Sequence, residues 1–153
     1  MSSMDTRSII ESHRPGAEVY TGAALCRQKA LELHDKFHLP RGLLPPVDLD
    51  EVGYNQSTGF VWMRLKKATT HKNKKIGQLT SYGQEVTAFI EDWGMRRMTG
   101  VKSKEMFVWM TISEFFIHKR DPGMITFKSA LGLSKSLPVA VFEEELADEE
   151  GGK

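Results

Sequence analysis

The residue types able to do chemistry are concentrated in residues 66–75, which read Lys-Lys-Ala-Thr-Thr-His-Lys-Asn-Lys-Lys. Five lysines and an imidazole in ten residues describe an anion-contacting stretch made of Lys66, Lys67, His71, Lys72, Lys74 and Lys75. Arg96 and Arg97, with Lys102 and Lys104, join it if the fold brings them near. Such a surface attracts phosphates, and each basic residue close to an anionic membrane contributes about 1 kcal/mol. The bland reading of the same run is an edge strand that lysines keep from pairing with other chains. Single-stranded nucleic acid needs exposed aromatics for the bases to stack on. Phe60 and Trp62 alternate within an apolar strand pattern and are expected to be buried, so no nucleic-acid partner is expected.

Other reactive types lack the company that chemistry requires. His34 and His38 are four residues apart at a helix end, a spacing that can serve one metal, but no third ligand or His-Glu-x-x-His pattern accompanies them. Cys26 falls on the apolar stripe of the same helix and reads as a small core residue. As the single cysteine it excludes an internal disulfide. Residues 94–102 superficially resemble a phosphate loop, but Val101 separates Gly100 from Lys102 and spoils the spacing. No Gly-x-Ser-x-Gly elbow is present. Asp48, Asp50 and Glu51 can pair as acid and base, or can be solvated carboxylates beside a turn. No catalytic, metal-ligating or cofactor-binding residue is assigned, and a non-enzymatic protein is expected.

The elements that would position these residues follow from periodicity. Val19, Ala23, Cys26, Ala30, Leu33 and Phe37 recur at steps of four and three, which predicts a helix with one apolar stripe. It ends near His38, because Pro40 disfavours helical geometry at Leu39. The Pro45-Pro46 elbow then leads to a hairpin, residues 51–55 and 60–67, turning through Gln56-Ser57-Thr58-Gly59. Phe60, Trp62 and Arg64 share one face of its second strand; Val61, Met63 and Leu65 share the other. Both faces are largely apolar, which places this strand centrally. Further strands are expected at 79–82, 85–90, 105–118, 124–128 and 137–143, with a helical turn within 92–100. The fold class is mainly β: a small antiparallel barrel or sandwich of seven to eight strands with one N-terminal α-helix packed against it.

The chain of 153 residues, 40% hydrophobic and 27% charged, suits one globular domain. Its charge of +1 hides an uneven distribution: six acids crowd into 143–153, leaving 20 bases against 14 acids before them. The expected organisation is a flexible arm at 1–16, a helix-plus-β domain at 17–142, and an acidic disordered tail at 143–153. No apolar run reaches 18 residues, and residues 1–20 never build the apolar core of a secretory signal. A cytoplasmic monomer is expected, peripheral to a membrane if the basic stretch binds one.

Eight short motifs then occur in order: Tyr20-Thr-Gly, Leu39-Pro-Arg-Gly-Leu-Leu-Pro, Glu51-Val-Gly-Tyr, Thr58-Gly-Phe-Val-Trp, Thr70-His-Lys, Thr99-Gly-Val-Lys, Ile125-Thr-Phe-Lys and Gly132-Leu-Ser-Lys-Ser-Leu-Pro-Val. Together they resemble the plant domain-of-unknown-function 538 family, which includes the smaller-with-variable-branches proteins of trichome development, over residues 17–145. The resemblance implies a compact β-barrel-like fold with an N-terminal helix and a link to lipid-binding proteins and stress responses. It carries no catalytic motif onto this chain. The functional expectation is binding of a lipid-like or apolar ligand, or of an anionic surface. The alternative is a regulatory protein-interaction module in stress or development, with the arm and tail as contacts for a protein partner. An interior cavity of several hundred Å³ would separate a ligand carrier from a solid scaffold.

Overall fold

A computed structural model describes residues 5–143. Among the described residues, helices α1 (Thr6–His13) and α2 (Ala23–Lys36) accompany nine strands in one antiparallel sheet. These are β1 (Glu18–Thr21), β2 (Leu49–Asn55), β3 (Phe60–Leu65), β4 (Thr69–Asn73), β5 (Gln78–Glu91), β6 (Gly94–Glu105), β7 (Val108–His118), β8 (Asp121–Ser129) and β9 (Ser134–Pro138). The order is β1-β2-β3-β5-β6-β7-β8-β9, with β4 also paired to β5 beyond the end of β3. The mainly β class is as expected. The barrel is not: the sheet stays open, with β1 and β9 as unpaired edges.

The hairpin of β2 and β3 forms as its alternation predicts, with Gly59 at φ +81° in the turn. β3 lies between β2 and β5, so it is central and covered on both faces. Trp62 lies flat on Gly53 across this hairpin; a Cβ at Gly53 would stand 2.1 Å from the indole. The segments expected as separate strands at 79–82 and 85–90 are one long strand, β5, bent rather than broken. Register shifts against β6 lie between Tyr82 and Thr87, and again before Phe89. Bulges of this kind raise local twist and curl a sheet. Gly100 faces the bend at φ +86°, where a Cβ would come within 2.3 Å of the Glu85 carbonyl oxygen.

The curl can be gauged from one side chain. Lys135 on β9 places Nζ 3.2 Å from Glu105 Oε1 on β6 and 3.5 Å from Gln78 Oε1 on β5. In a flat sheet β9 and β5 would stand roughly 19 Å apart at the usual strand spacing. The far wall has therefore folded over until it faces the near one. α2 closes the concave side, packing Cys26 and Ala30 against Val52, Leu65 and Val86.

Several expectations are corrected. Residues 1–16 were expected as a flexible arm, yet 6–13 form α1, capped by Asp5, with Ile10 fully buried against Phe60 and Trp62. The anchors sit some fifty residues away in sequence, which local pattern does not reveal. Val19 belongs to β1 and is exposed, because Gly22 at φ +92° separates it from the helix. Residues 92–100 hold no helical turn; Asp92-Trp93 make a tight turn and β6 starts at Gly94. The expected strand at 105–118 is interrupted by a hairpin turn at Met106-Phe107, and the last strand ends at Pro138. The acidic tail, from residue 144 on, lies outside the described residues.

Candidate functional site

Between the curled sheet and α2 lies a cavity of about 540 Å³. Its belt is apolar: Met63, Met98, Met110, Ile112, Phe115 and Phe127. All but Phe115 are only partly buried, because one side of each faces the hollow. Thioethers are unbranched and polarisable, so a methionine-lined wall adapts to ligands of different outline. The floor is formed by Ala30, Leu33 and His34 of α2, with Leu43 and Leu44 of the 3-10 turn Arg41–Leu43 and the residue after it. The opposite end is lined by Ile76 and Leu133, both exposed, together with Gln78, Glu105 and Lys135. That end is the mouth.

Polar groups are the minority of the lining: Thr80, Tyr82 and Thr87 along β5, a histidine in the floor and a cluster at the mouth. In the floor, His34 Nδ1–H donates to the Ala30 carbonyl at 2.7 Å. That bond fixes the tautomer and leaves Nε2 as an acceptor. Burial pushes the imidazole below its ordinary pKa, so it stays neutral. Burial alone pushes the Tyr82 hydroxyl up. At the mouth, Ser103 Oγ donates to Glu105 Oε2 at 3.1 Å, Gln78 bonds both Ser103 and Glu105, and Lys135 closes the group through Glu105. These residues come from the neighbouring strands β5 and β6 and from β9, which only the curl brings to them. Sequence spacing carries no signal for such a cluster.

The basic stretch is divided by the fold. Lys66 and Lys67 are exposed on the link from β3 to β4, and Lys74 and Lys75 on the turn from β4 to β5. Lys72 points to the outer face of β4, while His71 lines the cavity. Lys102 and Lys104 on β6 do join this end of the sheet, exposed on its outer face. Arg96 and Arg97 do not. Arg96 pairs with Phe89, whereas Lys72 pairs with Leu79, ten residues or roughly 33 Å of strand away. Arg96 is also engaged by Glu91 at 2.6 Å, and the Arg97 guanidinium sits over the Phe89 ring.

The remaining candidates are structural in their surroundings. Cys26 is fully buried; its thiol donates to the Tyr20 carbonyl at 3.3 Å, and burial raises its pKa. His38 turns away from His34 to meet Asp92 at 2.6 Å and stack on Trp93. Among the described residues no three His, Cys, Asp or Glu side chains gather as metal ligands. Glu51 accepts from Trp62 Nε1 at 2.7 Å and from Arg14 at 3.0 Å, which ties α1 to the sheet. Burial alone would raise its carboxyl, but those hydrogen bonds outweigh it and hold the group below its usual range.

The mouth is also rimmed by exposed apolar side chains. The β4–β5, β6–β7 and β8–β9 turns all lie at this end of the sheet, and they carry seven of the nine large apolar side chains exposed among the described residues. Phe107 is 93% exposed, Met106 89% and Leu131 83%. Met106 and Phe107 also have φ of +48° and +76°. Two-residue turns of this hand favour Asn-Gly, and each left-handed L-residue costs about 1–2 kcal/mol. An apolar pair between apolar strands read simply as continued strand.

Among the described residues, no helix is long and apolar enough to cross a membrane. No curated protein and no solved structure matches the chain. A family model described as "Protein of unknown function, DUF538" matches residues 30–143, from the middle of α2 through β9 and including the whole wall of the cavity, and the chain belongs to that family.

Proposed function

We propose that the protein is a non-enzymatic cytoplasmic carrier that holds one amphipathic, lipid-like molecule in the cavity between the sheet and α2. The observation that carries this reading is the hollow itself, about 540 Å³ with an apolar belt and a polar cluster at its mouth. Ligand pockets run from about 300 to 1,000 Å³ and share that distribution. The apolar portion of the ligand lies along Met63, Met98, Ile112 and Phe127, and its polar end meets Gln78, Ser103, Glu105 and Lys135 at the mouth.

The test is displacement of an environment-sensitive fluorescent fatty-acid analogue from the full chain. Wild type should bind at micromolar concentration, and Met98→Trp with Ile112→Trp, which fill the hollow, should weaken binding by about tenfold or more without lowering the melting temperature. Equal binding by the filled variant, or no binding of any apolar probe by wild type, would discard the carrier reading.

A further inference from the structure

We infer that the three hairpin tips around the mouth form a membrane-docking fringe that inserts into an anionic phospholipid bilayer. The inference rests on the carrier reading only for its purpose, since a docked mouth would let a lipid pass between bilayer and cavity without crossing water.

The exposed apolar side chains are points rather than a patch. Ile76 stands on the first turn, Met106, Phe107, Val108 and Trp109 on and beside the second, Leu131 and Leu133 on the third. At the opposite end of the sheet the turns carry Gln56-Ser57-Thr58, Asp92-Trp93 and Lys119-Arg120, and the one large apolar side chain among them, Trp93, is partly buried and stacked on His38. The two ends are built from the same strands, so the difference belongs to the turns. Strain points the same way. Met106 and Phe107 occupy two left-handed positions where Asn-Gly would sit without strain and without exposing apolar surface. A turn that departs from its local preference in both conformation and polarity is placed for contact rather than for stability.

The charges select the occupant. Lys74 and Lys75 directly precede Ile76, Lys104 stands two residues before Met106, and Lys128 stands three before Leu131, while Lys135 is paired with Glu105. Lys104 Nζ lies 5.8 Å from the centre of the Trp109 ring, so cation and indole share one level just behind the tip. Apolar tips with ammonium groups and an indole set slightly back reproduce the layering of a bilayer surface: hydrocarbon beyond, anionic phosphate before it. Basic residues near such a surface add attraction that salt screens.

Vesicle flotation of the full chain, with no ligand added, tests this apart from cavity filling. Wild type should float with a phosphatidylcholine–phosphatidylserine mixture, more weakly with phosphatidylcholine alone, and less in high salt. Met106→Asn with Phe107→Gly should weaken binding about tenfold or more, since affinity follows the apolar area inserted. Its melting temperature should hold or rise, because the new pair suits the turn. A structural role for Met106 and Phe107 would instead lower it. Leu131→Ser with Leu133→Ser, on a separate turn, should weaken binding in the same way, and brominated lipid should quench Trp109 in wild type. Unchanged flotation in both variants overturns the inference. So does a wild type that binds neither vesicle but sediments as a dimer, with the dimer lost in the same variants, because the fringe would then be a contact between two copies of this chain. Fatty-acid binding retained without flotation would leave the carrier intact and remove the docking step alone.

Discussion

On the outer side of β3, Phe60 and Trp62 are closed under α1, with Ile10 inserted between sheet and helix; on the inner side, Val61 and Met63 border the cavity. The side chains alternate along six residues of one strand and are similar in hydrophobicity. What differs is the distance to the next wall. Outside, an eight-residue helix lies directly on the sheet, drawn in by Arg14 and Glu51. Inside, α2 packs against the sheet through Cys26, Ala30 and Leu33, but the curl leaves a hollow beside it that Met63, Met98, Ile112 and Phe127 line. A packed face and a hollow face can therefore come from one alternating pattern, and curvature decides which is which.

Truncation on each face should break this comparison most visibly. Trp62→Ala removes a fully enclosed indole and the hydrogen bond it gives Glu51, and should cost about 3–5 kcal/mol. Ile112→Ala trims a side chain that faces the cavity on one side, and should cost about 1 kcal/mol or less. Urea denaturation of the two variants measures both. Similar losses would mean that the inner face is as tightly packed as the outer, and the hollow would be refuted with it.

A smaller effect is expected from the ion pair that holds α1. Arg14→Ala leaves Glu51 with Trp62 and the more distant Arg64, at 3.8 Å, as partners on a largely buried carboxylate. The loss should be about 1–3 kcal/mol. Arg14→Ala in a Glu51→Gln background should cost clearly less, since the uncompensated charge is gone. Glu51 is held below its ordinary pKa in the fold, so its contribution is present at neutral pH and lost as pH falls through that lowered value. The Arg14→Ala variant should lose stability at higher pH during acid titration than wild type does.

How much of this was legible depended on whether the cause was local. The β2–β3 hairpin was readable because alternation and Gly59 are both within fifteen residues. So was α2, from Cys26, Ala30 and Leu33 at helical spacing. α1 was not, because Ile10 gains its partner only when Phe60 and Trp62 arrive from far along the chain. β5 was divided at Gly83, since a glycine in a strand pattern marks a bend and a break alike. The mouth cluster of Gln78, Ser103, Glu105 and Lys135 was invisible for a stronger reason. Lys135 meets the other three only if the sheet curls by a particular amount, and that amount is fixed by bulges that no composition announces. The lysine stretch was extended too far: Arg96 and Arg97 are close to it in number along the chain and distant along β5.

The smallest effect distinguishes the two faces by pH alone. His34 is buried in the cavity floor and neutral, with a folded pKa below its ordinary value of about 6.5. As pH falls below that value the unfolded chain takes up a proton that the folded chain refuses, so stability declines on the acid side. The slope can reach at most about 1.4 kcal/mol per pH unit, and it begins roughly two units above the window in which Glu51 acts. The faces should thus loosen in sequence, inner before outer. His34→Leu should flatten the upper part of the stability–pH curve and leave the Glu51 part in place, as read by denaturation midpoints between mildly acidic and neutral pH. A ligand that contacts Nε2 of His34 should deepen the same slope, because protonation would then cost its hydrogen bond as well. If the curve of His34→Leu superimposed on wild type throughout, the imidazole would have to be reached by water in the folded state, and the floor of the cavity would be open.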